Sequence, residues 1–245
     1  MSKLDSNTLR RWLLISLVVI VIMFALSLWG STRPGLGDEV CTHWNAAGLC
    51  DGYGSKFMGF YLMPIVVIAV IGIIAAIPYI EPRKNNIALS GKAYGAIWGG
   101  LLFFFLLMHI ILIINVLHGA GVIDFNLDIS RFIPIVMGGL FIVMGNYMGK
   151  IRSNFMMGIR TPWTLSSDLS WNKTHRLGGK LFVVVGVLML ISSIALPNTW
   201  WIWIMMGALF PMIFILFIYS YVIWKQDPNA RNSYKEKSKN EKMDQ

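Results

Sequence analysis

Charged residues gather in short clusters along this chain, with long apolar stretches between them. No Asp, Glu, Lys or Arg occurs in 12–32, 57–80, 93–123, 132–149 or 181–224, runs of 21, 24, 31, 18 and 44 residues. About 20 apolar residues in a helix cross the hydrocarbon core of a bilayer, so the first four runs hold one span each. The last holds two, separated by a turn at Pro197-Asn198-Thr199. The runs lack the strict alternation of a membrane barrel. The pattern predicts an all-α integral membrane protein, a bundle of six transmembrane helices. Their expected ranges are about 12–30, 58–80, 93–117, a fourth from Phe132, 181–196 and 200–224. Pro64 and Pro78 fall inside the second and predict a kink there. A membrane helix tolerates proline when its neighbours satisfy the freed backbone groups.

Composition agrees. Of the 245 residues 56% are hydrophobic and 13% charged, with a mean hydropathy of +0.62. Soluble domains carry about 25% charged residues, so a soluble fold is excluded, as is disorder for most of the chain. The polar, lysine-rich stretch from Lys225 is the exception and is expected to be a disordered cytoplasmic tail.

The net charge of +9 reads as sidedness. With six spans both termini share a side, and eighteen of the 21 Lys and Arg fall there, leaving Arg33, Lys56 and Arg131 opposite. The positive-inside rule then puts both termini in the cytoplasm. The excess suits the anionic lipids of an inner leaflet and implies no nucleic acid. The apolar run from Trp12 to Trp29 exceeds a secretory h-region and no small-x-small site follows it, so an uncleaved first span is expected.

Glycines recur at four-residue spacing at Gly91, Gly95 and Gly99, and again at Gly145 and Gly149. Small residues on one face let membrane helices approach closely, which predicts packing within the bundle. A dimer seam is the alternative.

Little in the chain points to catalysis. There is no Walker A sequence, HExxH or GxSxG. No Asp, Glu, Lys or Arg lies deep in a span, which disfavours an ion-coupled carrier. His109, with Asn115 on the same helix, reads as a polar group bonded to a neighbouring helix rather than a proton relay. No cofactor is expected.

The segment between the first two spans holds both cysteines, in "CTHWNAAGLCDGYGSKF". An oxidising outer face favours a Cys41–Cys50 disulfide, stabilising the loop by roughly 2.5–3 kcal/mol on the chain-entropy view. A metal held by Cys41, His43, Cys50 and Asp51 is the alternative, though the spacing fits no common zinc pattern. His43, Trp44, Asn45 and Tyr53 suit either recognition of a polar backbone or anchoring among outer headgroups. Asp51-Gly52 is a turn signal.

The segment 150–180 is the longest inner connection. Pro162 stops any helix running through it, and Ser166 or Ser167 caps a short helix beginning near Asp168. Trp163 and Trp171 are expected at headgroup depth, with Arg160, Lys173 and Arg176 reaching phosphates. A docking surface for a partner is the competing reading.

This connection, "GNYMGKIRSNFMMGIRTPWTLSSDLSWNKTHRLGG", resembles the signature of the SdpI family of bacterial membrane immunity proteins. The matching positions are Asn154, Gly158 to Leu165 (among them Arg160, Thr161, Pro162 and Trp163), Trp171, Thr174, His175, Arg176 and Gly178. Ser153 stands where the family often has proline. Upstream, His43, Trp44, Asn45, Gly48, Asp51, Gly52, Tyr53 and Gly54 resemble a DUF1648 module, to which the resemblance makes the cysteine pair an addition of this chain.

The resemblance implies a module at 1–90, a second at 91–224 holding the signature, and the tail at 225–245. It implies a non-enzymatic, multi-pass protein of the bacterial plasma membrane that protects against an extracellular toxic peptide. It also implies a receptor role, holding a transcriptional repressor at the membrane. The residues expected to meet the toxin are His43, Trp44, Asn45, Asp51, Gly52 and Tyr53. Signalling alone, and a small-solute carrier or metal-dependent membrane enzyme, are the alternatives.

Overall fold

The structure is a computed structural model that describes residues 6–197 and 199–229. Lys3, the Asn198 of the expected turn and the expected tail beyond 229 lie outside the described residues.

The chain runs α1 (Ser6–Ser31), β1 (Glu39–Trp44), β2 (Cys50–Ser55), α2 (Lys56–Ile80), α3 (Lys84–Leu89), α4 (Gly91–Gly119), α5 (Ile129–Met148), α6 (Pro162–Ser166), α7 (Asp168–Ala195) and α8 (Trp200–Lys225). The six long helices are each apolar enough to span a membrane. They are the six spans expected from the charge-free runs. α1, α2 and α4 pack together around Met23, Val67, Tyr94 and Trp98. α5 joins α4 to the other half, where α7 and α8 bury Val185, Met189, Met212 and Leu216. Ring–cation pairs mark the two ends: Arg33 lies over Trp29 at one, Lys150 over Tyr147 and Lys225 over Tyr221 at the other.

Both prolines of α2 are provided for. Proline has no N–H, so Pro64 and Pro78 leave the carbonyls four residues earlier without helical partners. Ser27 of α1 donates to the Phe60 carbonyl at 2.5 Å, and the Tyr94 hydroxyl of α4 donates to that of Ile74 at 2.6 Å. His109 belongs to the same network. Its Nε2 lies 3.0 Å from the Met23 carbonyl, which can only accept, and 3.1 Å from Ser27 Oγ. The ring therefore carries its proton on Nε2 and links α4 to α1.

α5 and α7 meet through glycines. A Cβ on Gly145 would lie 2.6 Å from the Gly179 carbonyl oxygen, and one on Gly138 would lie 2.7 Å from that of Gly186. The working repeat is thus seven residues, not the four of Gly145 and Gly149. Gly95 and Gly99 seat the indole of Trp12, with would-be Cβ contacts of 2.9 and 2.8 Å, so that surface is filled within the chain.

Two expectations need correction. The segment between the first two spans is a disulfide-tied β-hairpin. The second half of the inner connection, from Asp168, is the start of a 28-residue span helix capped by Ser167. Such a helix is about 42 Å long against a core of about 30 Å, so its first turns can project past the hydrocarbon with Lys173, Arg176 and Lys180 exposed.

Candidate functional site

The hairpin stands on the end of the bundle away from the termini. β1 and β2 pair antiparallel, with His43 opposite Gly52 and an irregular register on either side of His43. Cys41 and Cys50 are bonded, with Cα atoms 6.1 Å apart. Both sulfurs are engaged, so thiolate ligation of a metal is not what this loop presents. Val40 packs against Phe60, Ile113 and Leu117, and Trp44 leans on the same cluster. Gly59 makes room for Val40, whose Cγ2 would stand 2.5 Å from a Cβ there. Beneath the hairpin lies an apolar cavity of about 440 Å³ between Trp44, Met58, Leu62 and Phe105.

The six outer residues divide by what they touch. Asn45 is spent on the turn: its Oδ1 accepts from the Ala47 and Leu49 N–H groups at 3.0 and 3.1 Å. Trp44 is half-buried as an anchor. A Cβ on Gly52 would lie 3.0 Å from that of His43, so glycine here leaves the imidazole its position. His43 Nδ1 meets Asp51 Oδ1 at 2.5 Å, with the two side chains 72% and 43% exposed. Tyr53 is 70% exposed and shares the outward face of β2 with Asp51. A hydrogen-bonded imidazole and carboxylate and a phenol are thus offered together on a covalently fixed hairpin.

The signature segment at the opposite end divides between buried and exposed positions. Trp171 is fully covered, contrary to the headgroup position expected for it. Its indole N–H donates to the Ile151 carbonyl at 2.8 Å, and its ring stacks on His175 at 4.0 Å between centroids. His175 Nδ1 donates to the Trp171 carbonyl at 2.8 Å, while Nε2 accepts from the Ile159 N–H at 3.0 Å. A carbonyl only accepts and an amide N–H only donates, so both ring nitrogens are committed and the ring is neutral. Gly158 has φ +103 and is exposed; a Cβ there would run into that ring.

Asn154 closes a turn, accepting from Met156 and Met157 N–H at 2.9 and 2.6 Å and donating to the Arg152 carbonyl at 2.8 Å. Thr161 and Thr164 cap α6 reciprocally, and Thr161 Oγ1 reaches Ser220 of α8 at 3.0 Å. Pro162 opens α6 and is exposed, while Trp163 lies edge-on to Phe217 at 4.8 Å. Thr174 is buried with no hydrogen-bond partner for its hydroxyl among the described residues. Arg160 and Arg176 are exposed, Arg160 donating to the Phe155 carbonyl at 2.7 Å.

Sequence reasoning missed what holds this segment. Glu81, fully buried at the end of α2, accepts from the Arg83 and Phe155 N–H groups at 2.9 Å each. Arg83 bonds Ser153 and the Leu165 carbonyl and lies over the Phe155 ring. Asn86 donates to the Ser153 carbonyl at 2.7 Å, and Ser90 accepts from Arg152 N–H at 2.8 Å. Ser167 donates to Asp227 at 2.5 Å. A lone acid in the basic "EPRKNN" was the available signal.

Residues 150–220 match the SdpI/YfhL protein family, and residues 18–68 match a domain of unknown function, DUF1648. Among curated proteins, the chain is 22% identical over 180 residues to the immunity protein SdpI of Bacillus subtilis (strain 168), covering 74% of this chain and 80% of that one. No solved structure matches. The resemblance to a family of membrane immunity proteins thus extends over both halves. With six apolar helices, the chain is a multi-pass protein of the bacterial cell membrane.

Proposed function

We propose that this protein is an immunity protein that shields its cell from an extracellular toxic peptide, met through the hairpin. The observation that carries the reading is the exposed trio of His43, Asp51 and Tyr53 on a disulfide-tied hairpin at the end away from the basic termini. Oxidised cysteines and the lysine and arginine asymmetry both favour placing that end outside and both termini in the cytoplasm. Residues 1–90 then act as the recognition module and 91–224 as its frame. The buried signature residues hold that frame together, and no catalytic step is required.

Sensing is a second role, favoured by the exposed cations Arg160 and Arg176 of the signature and Lys173 beside them. They suit a soluble regulator such as a transcriptional repressor. In that role Arg160→Ala lowers membrane recruitment of the regulator. Trp163→Ala does so too, but it also removes a ring contact with α8.

The test is expression in a toxin-sensitive host challenged with candidate peptides from bacterial competitors. Survival should rise only when the protein is present. No gain against any peptide, at normal membrane abundance, overturns the reading.

A further inference from the structure

The terminus-bearing end holds a second cavity, of about 510 Å³, between the first turns of α1, the last turn of α2 and α3. Leu9, Leu13 and Ile87 give it apolar walls, and Arg10 and Lys84 give it two cations. Three other cations of this end are committed: Arg83 to Ser153 and Leu165, Lys150 to a tyrosine ring, Arg160 to the Phe155 carbonyl. Arg10 and Lys84 have no acceptor or ring among the described residues. The buried carboxylate of Glu81, at the end of α2, is engaged by backbone N–H groups of Arg83 and Phe155.

The chemistry specifies the ligand by halves. Two cations lining one cavity, neither of them paired among the described residues, call for an anion. An inorganic anion cannot cover the leucine and isoleucine walls, whose burial against hydrocarbon is favourable. Leu13 and Tyr79 are exposed on the outside of the bundle at this level, so the cleft continues into the lipid-facing surface. Tyrosine and basic residues at a span's end are the common headgroup-level anchors. The volume lies within the range of small-ligand sites, enough for a glycerophosphate group with the tails left in the bilayer.

We propose that this cleft binds one anionic phospholipid, its phosphate between Arg10 and Lys84 and its first acyl carbons along Leu13 and Tyr79. The lipid ties the start of α1 to the α2–α3 corner. This site is independent of the hairpin and of the toxin.

The experiment uses the full chain, purified in mild detergent, relipidated with phosphatidylglycerol or phosphatidylcholine, and read by native mass spectrometry. One phosphatidylglycerol per chain should be retained, and phosphatidylcholine should not. Each cation near an anionic surface is worth roughly fivefold in affinity, so Arg10→Ala with Lys84→Ala should lower retention about 25-fold. Arg10→Lys with Lys84→Arg should keep it, which separates lost charge from lost folding. Lys173→Ala with Lys180→Ala, on the same end but outside the cleft, should also keep it. Equal retention of both lipids, unchanged retention in the double alanine variant, or displacement of the lipid by millimolar inorganic phosphate overturns the proposal.

Discussion

Ser27 of α1 donates its hydroxyl proton to the carbonyl of Phe60 in α2, the one carbonyl that Pro64 leaves without a helical donor. The same side chain sits within reach of the His109 proton, so three helices meet at one oxygen. Hydrogen bonds between membrane helices average roughly 0.6 kcal/mol, up to about 1.7. Ser27→Ala should therefore destabilise the folded protein by about 1 kcal/mol, with Tyr94→Phe similar. Replacing Pro64 with alanine restores a backbone donor to Phe60 and should shrink the Ser27→Ala effect. Unfolding in mixed detergent micelles measures this cycle; full additivity would contradict it.

The glycine contacts of α5 and α7 give a sharper contrast. Gly145→Ala and Gly138→Ala place a methyl group 2.6–2.7 Å from a backbone oxygen, and neither helix can yield without moving the other. A loss of about 2 kcal/mol or more is expected from overpacking. Gly139, on the same helix with nothing within 4 Å, should accept alanine with little change or a gain of up to about 1 kcal/mol. Membrane abundance and thermal melting of the three variants decide it.

His175 is held by both nitrogens, and its replacement separates stacking from hydrogen bonding. His175→Phe keeps a ring against Trp171 but leaves the Ile159 N–H without its acceptor, a cost of about 1–3 kcal/mol. Trp171→Ala removes both the ring and the donor to Ile151 and should cost more. Both should lower abundance without altering protection per molecule, as measured by immunoblot alongside toxin survival.

The spans were legible because charge is expensive in hydrocarbon, so the charge-free runs at 12–32 and 57–80 have one physical reading. The hairpin was not. β2 reads CDGYGS, where Gly52 and Gly54 lower strand propensity, and its pairing depends on Val40 lodging against Gly59 and on the disulfide. The signature's role was hidden for a related reason. Its partners Arg83 and Glu81 lie about 70 residues away from Ser153 and Phe155, a separation that no local pattern encodes. Trp171 looked like an interfacial tryptophan until the Ile151 carbonyl supplied a buried acceptor for its N–H.

Sidedness has its own check. After mild reduction of intact cells, a membrane-impermeant maleimide should label Cys41 and Cys50. Labelling that appears only after lysis would place the hairpin inside and remove it from any contact with an external peptide.

The central claim is that protection is read by the hairpin surface while the buried residues of the signature are framework. The most direct measurement is toxin survival, normalised to membrane abundance, of a protein carrying His43→Ala, Asp51→Ala and Tyr53→Ala together. These side chains are exposed, so abundance should hold while survival falls at least tenfold. Undiminished survival at normal abundance would contradict the account.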